Sequence, residues 1–142
     1  IQMQDNVGVS IGGNKINAGR IDRNNIEQYS RRLVSFKGTE AQVVEEVIAT
    51  IEAVFDATVS GIGVGVPSIV DTEKGIVYDV QNIPSWKEVH LKKILEDHFQ
   101  VPTYVNNDAN CFAVGEKYFG KGKNYKNLIG LIAGTGMAGG II

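Results

Sequence analysis

Little in this 142-residue chain can hold a disulfide or a soft metal: it carries one cysteine, Cys111, and two histidines, His90 and His98. One thiol cannot close an internal disulfide, and one Cys with two His cannot complete a structural zinc site without carboxylates or a second chain. The expectation is a reduced, cytoplasmic protein with no metal ligands of its own. Excess positive charge is missing too. There are 14 Lys plus Arg against 16 Asp plus Glu, a formal net charge of −2, so no basic field favours nucleic acid or an anionic membrane. No apolar run approaches the ~20 residues of a membrane span, and the polar start from Ile1 to Asn6 does not read as a signal peptide. What is present, 43% hydrophobic and 21% charged residues, is enough for a buried core and too apolar for compositional disorder. Glycine is the surplus, 17 of 142 residues, where a usual share of roughly 7% would give about ten.

The glycines cluster. Gly8, Gly12, Gly13 and Gly19 crowd the start, Gly61, Gly63 and Gly65 the middle, and Gly130, Gly134, Gly136, Gly139 and Gly140 the end. Glycine is needed where the backbone takes a positive φ or meets a ligand closely, so such clusters between apolar runs mark loops. Val7 to Ile11 and Ile16 to Ile21 read as a β-hairpin around Gly12-Gly13-Asn14-Lys15, with a third strand at Ser30 to Phe36. Val44, Val47, Ile48, Ile51 and Phe55 then form one helical stripe, and Thr39 with Gln42 a capping box, which predicts a helix from Glu40 to Phe55. Gly61 to Val66 reads as a buried strand ending before Pro67. Lys74-Gly75 marks a turn and Ile76 to Val80 a return strand. Ser85 with Glu88 reads as a second capping box opening a helix from Trp86 to Phe99. Thr103 to Val105 is a short strand, Ala109 to Tyr118 a helix, Gly120 to Asn127 a solvated connector and Leu128 to Ala133 a buried strand. Gly134 to Gly140 reads as a tight loop before a last strand. The layout is α/β with a mixed sheet.

Two of the loops suit anions. A glycine-rich turn between strands leaves backbone N–H groups open to form an anion-binding concavity, and Gly12, Gly13, Asn14 and Lys15 match Gly134, Thr135 and Gly136 in position. Either loop alone reads first as a plain hairpin; their matched pairing favours phosphate. Neither has the P-loop spacing, and neither lies between strand and helix as a dinucleotide fingerprint requires. Asn106-Asn107-Asp108 falls at the carboxyl end of a parallel strand, where open α/β sheets hold ligands. A carboxylate there can take a proton from a hydroxyl, although Asn and Asp are also ordinary helix caps. Ser68 and Asn82 read as turn residues or ligand contacts. Asp71, Asp79, Glu45 and Glu46 read as solvated charges, Trp86 as a packing residue and Cys111 as buried and inert. His90 and His98 are assigned no metal.

These segments together resemble the ROK family of sugar kinases, within the actin-like ATPase superfamily of ribonuclease H-like folds. Val7-Gly8-Val9-Ser10-Ile11-Gly12-Gly13-Asn14-Lys15 corresponds to the first phosphate loop, followed by Gly61-Ile62-Gly63-Val64-Gly65-Val66-Pro67 with Val70-Asp71 and by Gln81-Asn82-Ile83-Pro84-Ser85-Trp86. Asn107-Asp108-Ala109-Asn110-Cys111-Phe112-Ala113 with Gly115-Glu116 is the most specific block. Gly134-Thr135-Gly136-Met137-Ala138-Gly139-Gly140 corresponds to the second phosphate loop. The resemblance implies ATP- and Mg²⁺-dependent phosphorylation of a hexose or N-acetylhexosamine hydroxyl. By it, Asp108 is the general base, and Gly65, Ser68, Asn82 and Asn107 form the sugar site. Gly12, Gly13, Asn14, Lys15, Gly134, Thr135 and Gly136 cradle the nucleotide. It further implies the N-terminal half of a two-domain kinase, with residues 1–122 one domain and 123–142 a connector and the first hairpin of the next. A homodimer fits the same family, and the fragment alone is expected to be inactive.

The departures from the family pattern define the alternative. The family's first strand reads Asp-x-Gly-Gly-Thr, and this chain has Ser10 and Asn14. Pro67-Ser68-Ile69 replaces Pro-Gly-Pro, and the chain ends at Ile142, before the family's His-Glu sugar motif and zinc motif. A non-catalytic sugar-binding or regulatory ROK protein, a pseudokinase or repressor relative, is therefore the second reading. A ribonuclease H-type nuclease needs a metal-holding carboxylate on the first strand, and Ser10 removes it.

Overall fold

The computed structural model describes residues 4–23, 25–134 and 136–142. Strands β1 (Asp5–Ile11) and β2 (Lys15–Asp22) form the expected antiparallel hairpin, with Ile11 opposite Ile16 and Gly8 opposite Gly19. Alternation fixes its two faces: Val7, Val9 and Ile11 of β1 and Ile16 and Ala18 of β2 are buried, as a half-buried sheet requires. Strand β3 (Asn25–Leu33) begins five residues before the Ser30 expected from sequence and stops short of Phe36. Its extent is set by the ladder to β2, from Asp22–Asn25 to Lys15–Leu33. As the outermost strand it is exposed almost throughout, so no apolar alternation announces it.

Helix α1 (Glu40–Glu52) starts where its capping box predicts. The Gln42 N–H donates to Thr39 Oγ1 at 3.2 Å and the Thr39 N–H to Gln42 Oε1 at 2.8 Å. It ends three residues before Phe55 and buries Val43, Val44, Val47 and Ile51. Strand β4 (Val59–Val66) then runs parallel to β1, ending at the residue before Pro67. Next comes a small antiparallel sheet of β5 (Ile69–Asp71), β6 (Ile76–Tyr78) and β7 (Glu88–Val89). The β5–β6 turn demands Gly75, which has φ of 64° and whose Cβ would fall 2.1 Å from Lys92 Cβ; any side chain there is strained.

The second helix corrects the sequence reading. Helix α2 spans Leu91–Phe99, not Trp86–Phe99, and its first turn has no side-chain cap. Glu88 is committed to β7 pairing with Tyr78, and Ser85 Oγ is buried with no hydrogen-bond partner among the described residues, so the Ser85–Glu88 capping box does not form. Tertiary pairing overrides the local signal. Trp86 packs in the core, fully buried, ahead of the helix. Strand β8 (Thr103–Asn107) pairs parallel to β4 and passes directly into α3 (Asp108–Tyr118).

The five-stranded sheet has the order β3-β2-β1-β4-β8. The buried side chains of β1, β4 and β8 join those of α1 and α2 in one core. Helices α1 and α2 meet through His98 Nε2 and Glu52 Oε1 at 2.7 Å, and Phe55, just past the end of α1, packs on Phe99 with ring centroids 4.8 Å apart. Helix α3 lies on the opposite face, where a Cβ on Gly65 would stand 3.5 Å from Cys111 Sγ. The connector after α3 holds a short 3₁₀ turn at Lys121–Asn124.

A last hairpin, β9 (Ile129–Ala133) with β10 (Met137–Ile141), forms a separate two-stranded sheet. Its second strand thus begins at Met137, inside the segment that the sequence assigns to a loop. Small residues let it sit on α3: a Cβ on Gly140 would come within 2.6 Å of Ala109 O, and one on Gly130 within 3.1 Å of Ala113. On the hairpin's opposite face Ile129, Leu131, Met137 and Ile141 are each at least 66% exposed, a bare apolar face.

Candidate functional site

Three parallel strands end together. Ser10 of β1 is level with Gly65 of β4, which is level with Asn106 of β8. Beyond these carboxyl ends lie the Gly12–Asn14 loop, the Pro67-Ser68 turn and the first residue of α3, Asp108. This is the edge where open α/β sheets gather ligands.

Asn107 is the N-cap of α3. Its Oδ1 accepts from the Ala109 N–H at 2.9 Å and the Asn110 N–H at 3.4 Å, and its Nδ2 donates to Ser68 O at 3.1 Å. Ser68 Oγ donates to Tyr78 O. Asn107 and Ser68 are therefore brought together, by a bond that seats the β4–β5 turn on the helix start. Asp108 is partly buried, and its Oδ1 accepts from the Ala109 N–H at 2.8 Å. Its Oδ2 accepts nothing among the described residues, so one carboxylate oxygen fixes the side chain and the other stays open. Gly65 lies against this helix start, a Cβ there standing 3.5 Å from Asp108 Cα.

Asn106, not counted among the site residues from sequence, supports the same corner: its Oδ1 accepts from the Asn107 N–H at 2.7 Å and from Asn110 Nδ2 at 3.2 Å. Its place in the Asn106-Asn107-Asp108 run at the carboxyl end of a parallel strand was the available signal. Cys111 also departs from expectation. It is exposed, and its thiol pKa is raised, first by burial of part of the group and then by the Asp108 charge. The thiol form is favoured, so reaction with a soluble alkylating agent should be slow at pH 8. Asp108→Asn removes one of the two raising causes, and alkylation of Cys111 at that pH should quicken, as mass spectrometry over time can read. An unchanged rate would separate Cys111 from the Asp108 carboxylate.

Asn82 takes a different place from the other sugar-site candidates. Its Nδ2 donates to Gly12 O at 3.1 Å and Gly13 O at 2.9 Å, tying it to the first glycine loop. In that loop the Gly12 N–H donates to Lys15 O at 2.7 Å, and Asn14 O accepts from the Val34 N–H at 3.0 Å. A Cβ on Gly13 would meet nothing within 4 Å, nor would one on Gly134 or Gly136. Gly13 and Gly134 have no positive φ, so neither strain nor packing against the described residues requires glycine at these two positions, and close approach by a ligand remains as a reason. Gly134 and Gly136 turn the β9–β10 hairpin, with the Gly134 N–H donating to Gly136 O at 2.8 Å; Thr135 lies outside the described residues. Two surface concavities, about 340 Å³ along α1 and about 360 Å³ between α3 and β9, contain none of these candidates. Among the described residues no three His, Cys, Asp or Glu side chains gather as a metal set.

A model of the ROK family matches residues 6–142. The chain belongs to the ROK family. It is 37% identical over 138 residues to a glucokinase from Streptomyces coelicolor, covering 96% of this chain and 43% of that protein. A solved ROK family glucokinase from Streptomyces griseus, in complex with glucose and AMPPNP, superposes with a TM-score of 0.87 at 33% identity, over 97% of this chain and 44% of that one. The chain is also similar to a regulator: a xylose repressor from Caldicellulosiruptor bescii is 43% identical over 82 residues, 58% of this chain and 20% of that protein. The chain thus spans less than half the length of the glucokinases it matches. Its mixed sheet and three helices are the fold of the ROK sugar kinases, as the sequence resemblance implied. Among the described residues no helix is long and apolar enough to cross a membrane.

Proposed function

We propose that this chain is the front part of an ATP-dependent ROK sugar kinase that phosphorylates a hydroxyl of a hexose or N-acetylhexosamine. The observation that carries this reading is Asp108 at the joined ends of three parallel strands, with one carboxylate oxygen anchored and one open. In the reaction the hydroxyl proton passes to that free oxygen as the sugar oxygen attacks the γ-phosphorus, and ADP leaves. Gly65, Ser68 and Asn107 bound the sugar side, and Gly12, Gly13, Asn14 and Lys15 the phosphate side. Gly134, Thr135 and Gly136 form a second phosphate loop. A Mg²⁺ brought with the nucleotide would neutralise charge on the phosphates beside the Gly12–Lys15 loop. Residues 123–142 belong to a second lobe, whose remainder covers the bare face of Ile129, Leu131, Met137 and Ile141. Phosphorylation belongs to the longer, two-lobed form.

Calorimetry on that form tests the reading: glucose and Mg–AMPPNP should each bind, and Ser10→Asp should tighten Mg–AMPPNP by restoring a carboxylate beside the phosphate loop. Ser10 is exposed, with Asn17 and glycine as its cross-strand neighbours, so the longer side chain has room. Indifference of AMPPNP affinity to this change removes Ser10 from the nucleotide site. Ser10 also favours the second reading, a sugar-binding regulator. Glucose binding without any AMPPNP binding, in either the wild type or Ser10→Asp, decides for that regulator.

A further inference from the structure

Both protons of the Asn82 side-chain amide are directed at one loop. Nδ2 donates to Gly12 O and to Gly13 O, across about seventy residues of chain. In a trans peptide the C=O and the following N–H point in opposite directions. The Gly12 carbonyl shares its peptide plane with the Gly13 N–H, and the Gly13 carbonyl with the Asn14 N–H. Holding both carbonyls toward Asn82 therefore turns the Gly13 and Asn14 N–H groups together to the other side of the loop. Neither N–H has an acceptor among the described residues, whereas the Gly12 N–H is spent on Lys15 O. Two adjacent N–H groups facing one way form an anion-binding concavity. The space beside Gly13 is open, and Lys15 follows directly in sequence. A carbonyl-facing loop would repel a phosphate; this one is held in the reverse sense.

We propose that Asn82 is a positioning residue for a nucleotide polyphosphate, acting through the Gly12–Asn14 loop, and not primarily a sugar ligand. This rests on the kinase reading for the identity of the anion, and it deepens that reading by moving Asn82 from the sugar to the phosphate side. With its amide protons engaged, Asn82 keeps only Oδ1 for any other partner.

The test follows the Gly13 and Asn14 backbone amide signals by ¹⁵N NMR while inorganic triphosphate is added to the chain. In the wild type both signals should shift saturably. In Asn82→Ala and in the similarly shaped Asn82→Leu, affinity should fall about tenfold or more, as expected for losing two hydrogen bonds that hold the loop. Glucose affinity in the same variants should stay within about twofold. Triphosphate affinity unchanged in either folded variant overturns the inference, as does a variant that loses glucose and keeps triphosphate. A wild type whose loop amides ignore triphosphate overturns both the inference and the nucleotide half of the kinase reading. Glucose titrated alone tests the sugar half separately, because it reports on the Gly65–Asn107–Asp108 edge and not on the loop.

Discussion

Asp108→Asn in the phosphorylating protein should lower kcat by roughly a thousandfold, the middle of the range that a positioned general base contributes, while sugar and nucleotide affinities change by no more than a few-fold. The reason is geometric. The amide oxygen can still accept from the Ala109 N–H, as Asp108 Oδ1 does at 2.8 Å, so the side chain keeps its place at the start of α3. What it loses is a basic atom on the open side. Stability cannot account for the effect. A charge at a partly buried helix N-terminus contributes at most about 2 kcal/mol, too little to unfold a domain that has several kcal/mol to spare. The measurement is therefore a pair: steady-state kcat beside calorimetric binding of glucose and AMPPNP. A variant with kcat within a few-fold of the wild type would show that Asp108 is only a helix-start residue beside the Asn107 cap. Tenfold losses in both affinities would make it a binding residue.

How far the sequence carried the reader depended on where each signal came from. Helix α1 was legible because everything that makes it is local: a Thr39–Gln42 cap and a stripe of Val44, Val47 and Ile51. The Asn107–Asp108 corner was legible for the same reason, since strand end, cap and acid follow one another directly. Strand β3 was misplaced because it is an outer strand without a buried face, and its limits come from its neighbour β2. The start of α2 was misplaced because Ser85 and Glu88 satisfy a local rule that tertiary structure sets aside, Glu88 pairing with Tyr78 instead. Asn82 shows the same limit at the site. A turn residue in sequence, it is defined by two carbonyls of Gly12 and Gly13 on the first hairpin, and no spacing rule connects positions so far apart.

Trp86→Ala should be the most destabilising single change in the chain, costing about 3–5 kcal/mol, as removal of a large buried aromatic usually does. Trp86 is fully enclosed in the core, and its indole N–H reaches Glu40 O at 3.4 Å, at the first turn of α1. Against a typical stability of about 5–15 kcal/mol, the variant should still fold but melt at least about 10 °C lower. The loss should reach the site as well. The segment carrying Asn82 is closed by the Trp86 backbone, its N–H donating to Ile83 O at 2.9 Å and its carbonyl accepting from the Val80 N–H at 3.1 Å. With the indole gone, that turn loses its anchor, and the Asn82 grip on Gly12 and Gly13 should loosen with it. Trp86→Phe, which keeps most of the buried ring, should recover much of the melting temperature. The two effects can be told apart by working well below the transition. If triphosphate affinity of folded Trp86→Ala equals the wild type while its melting temperature falls, Trp86 supports the core alone; a parallel fall places the Asn82 turn under its control.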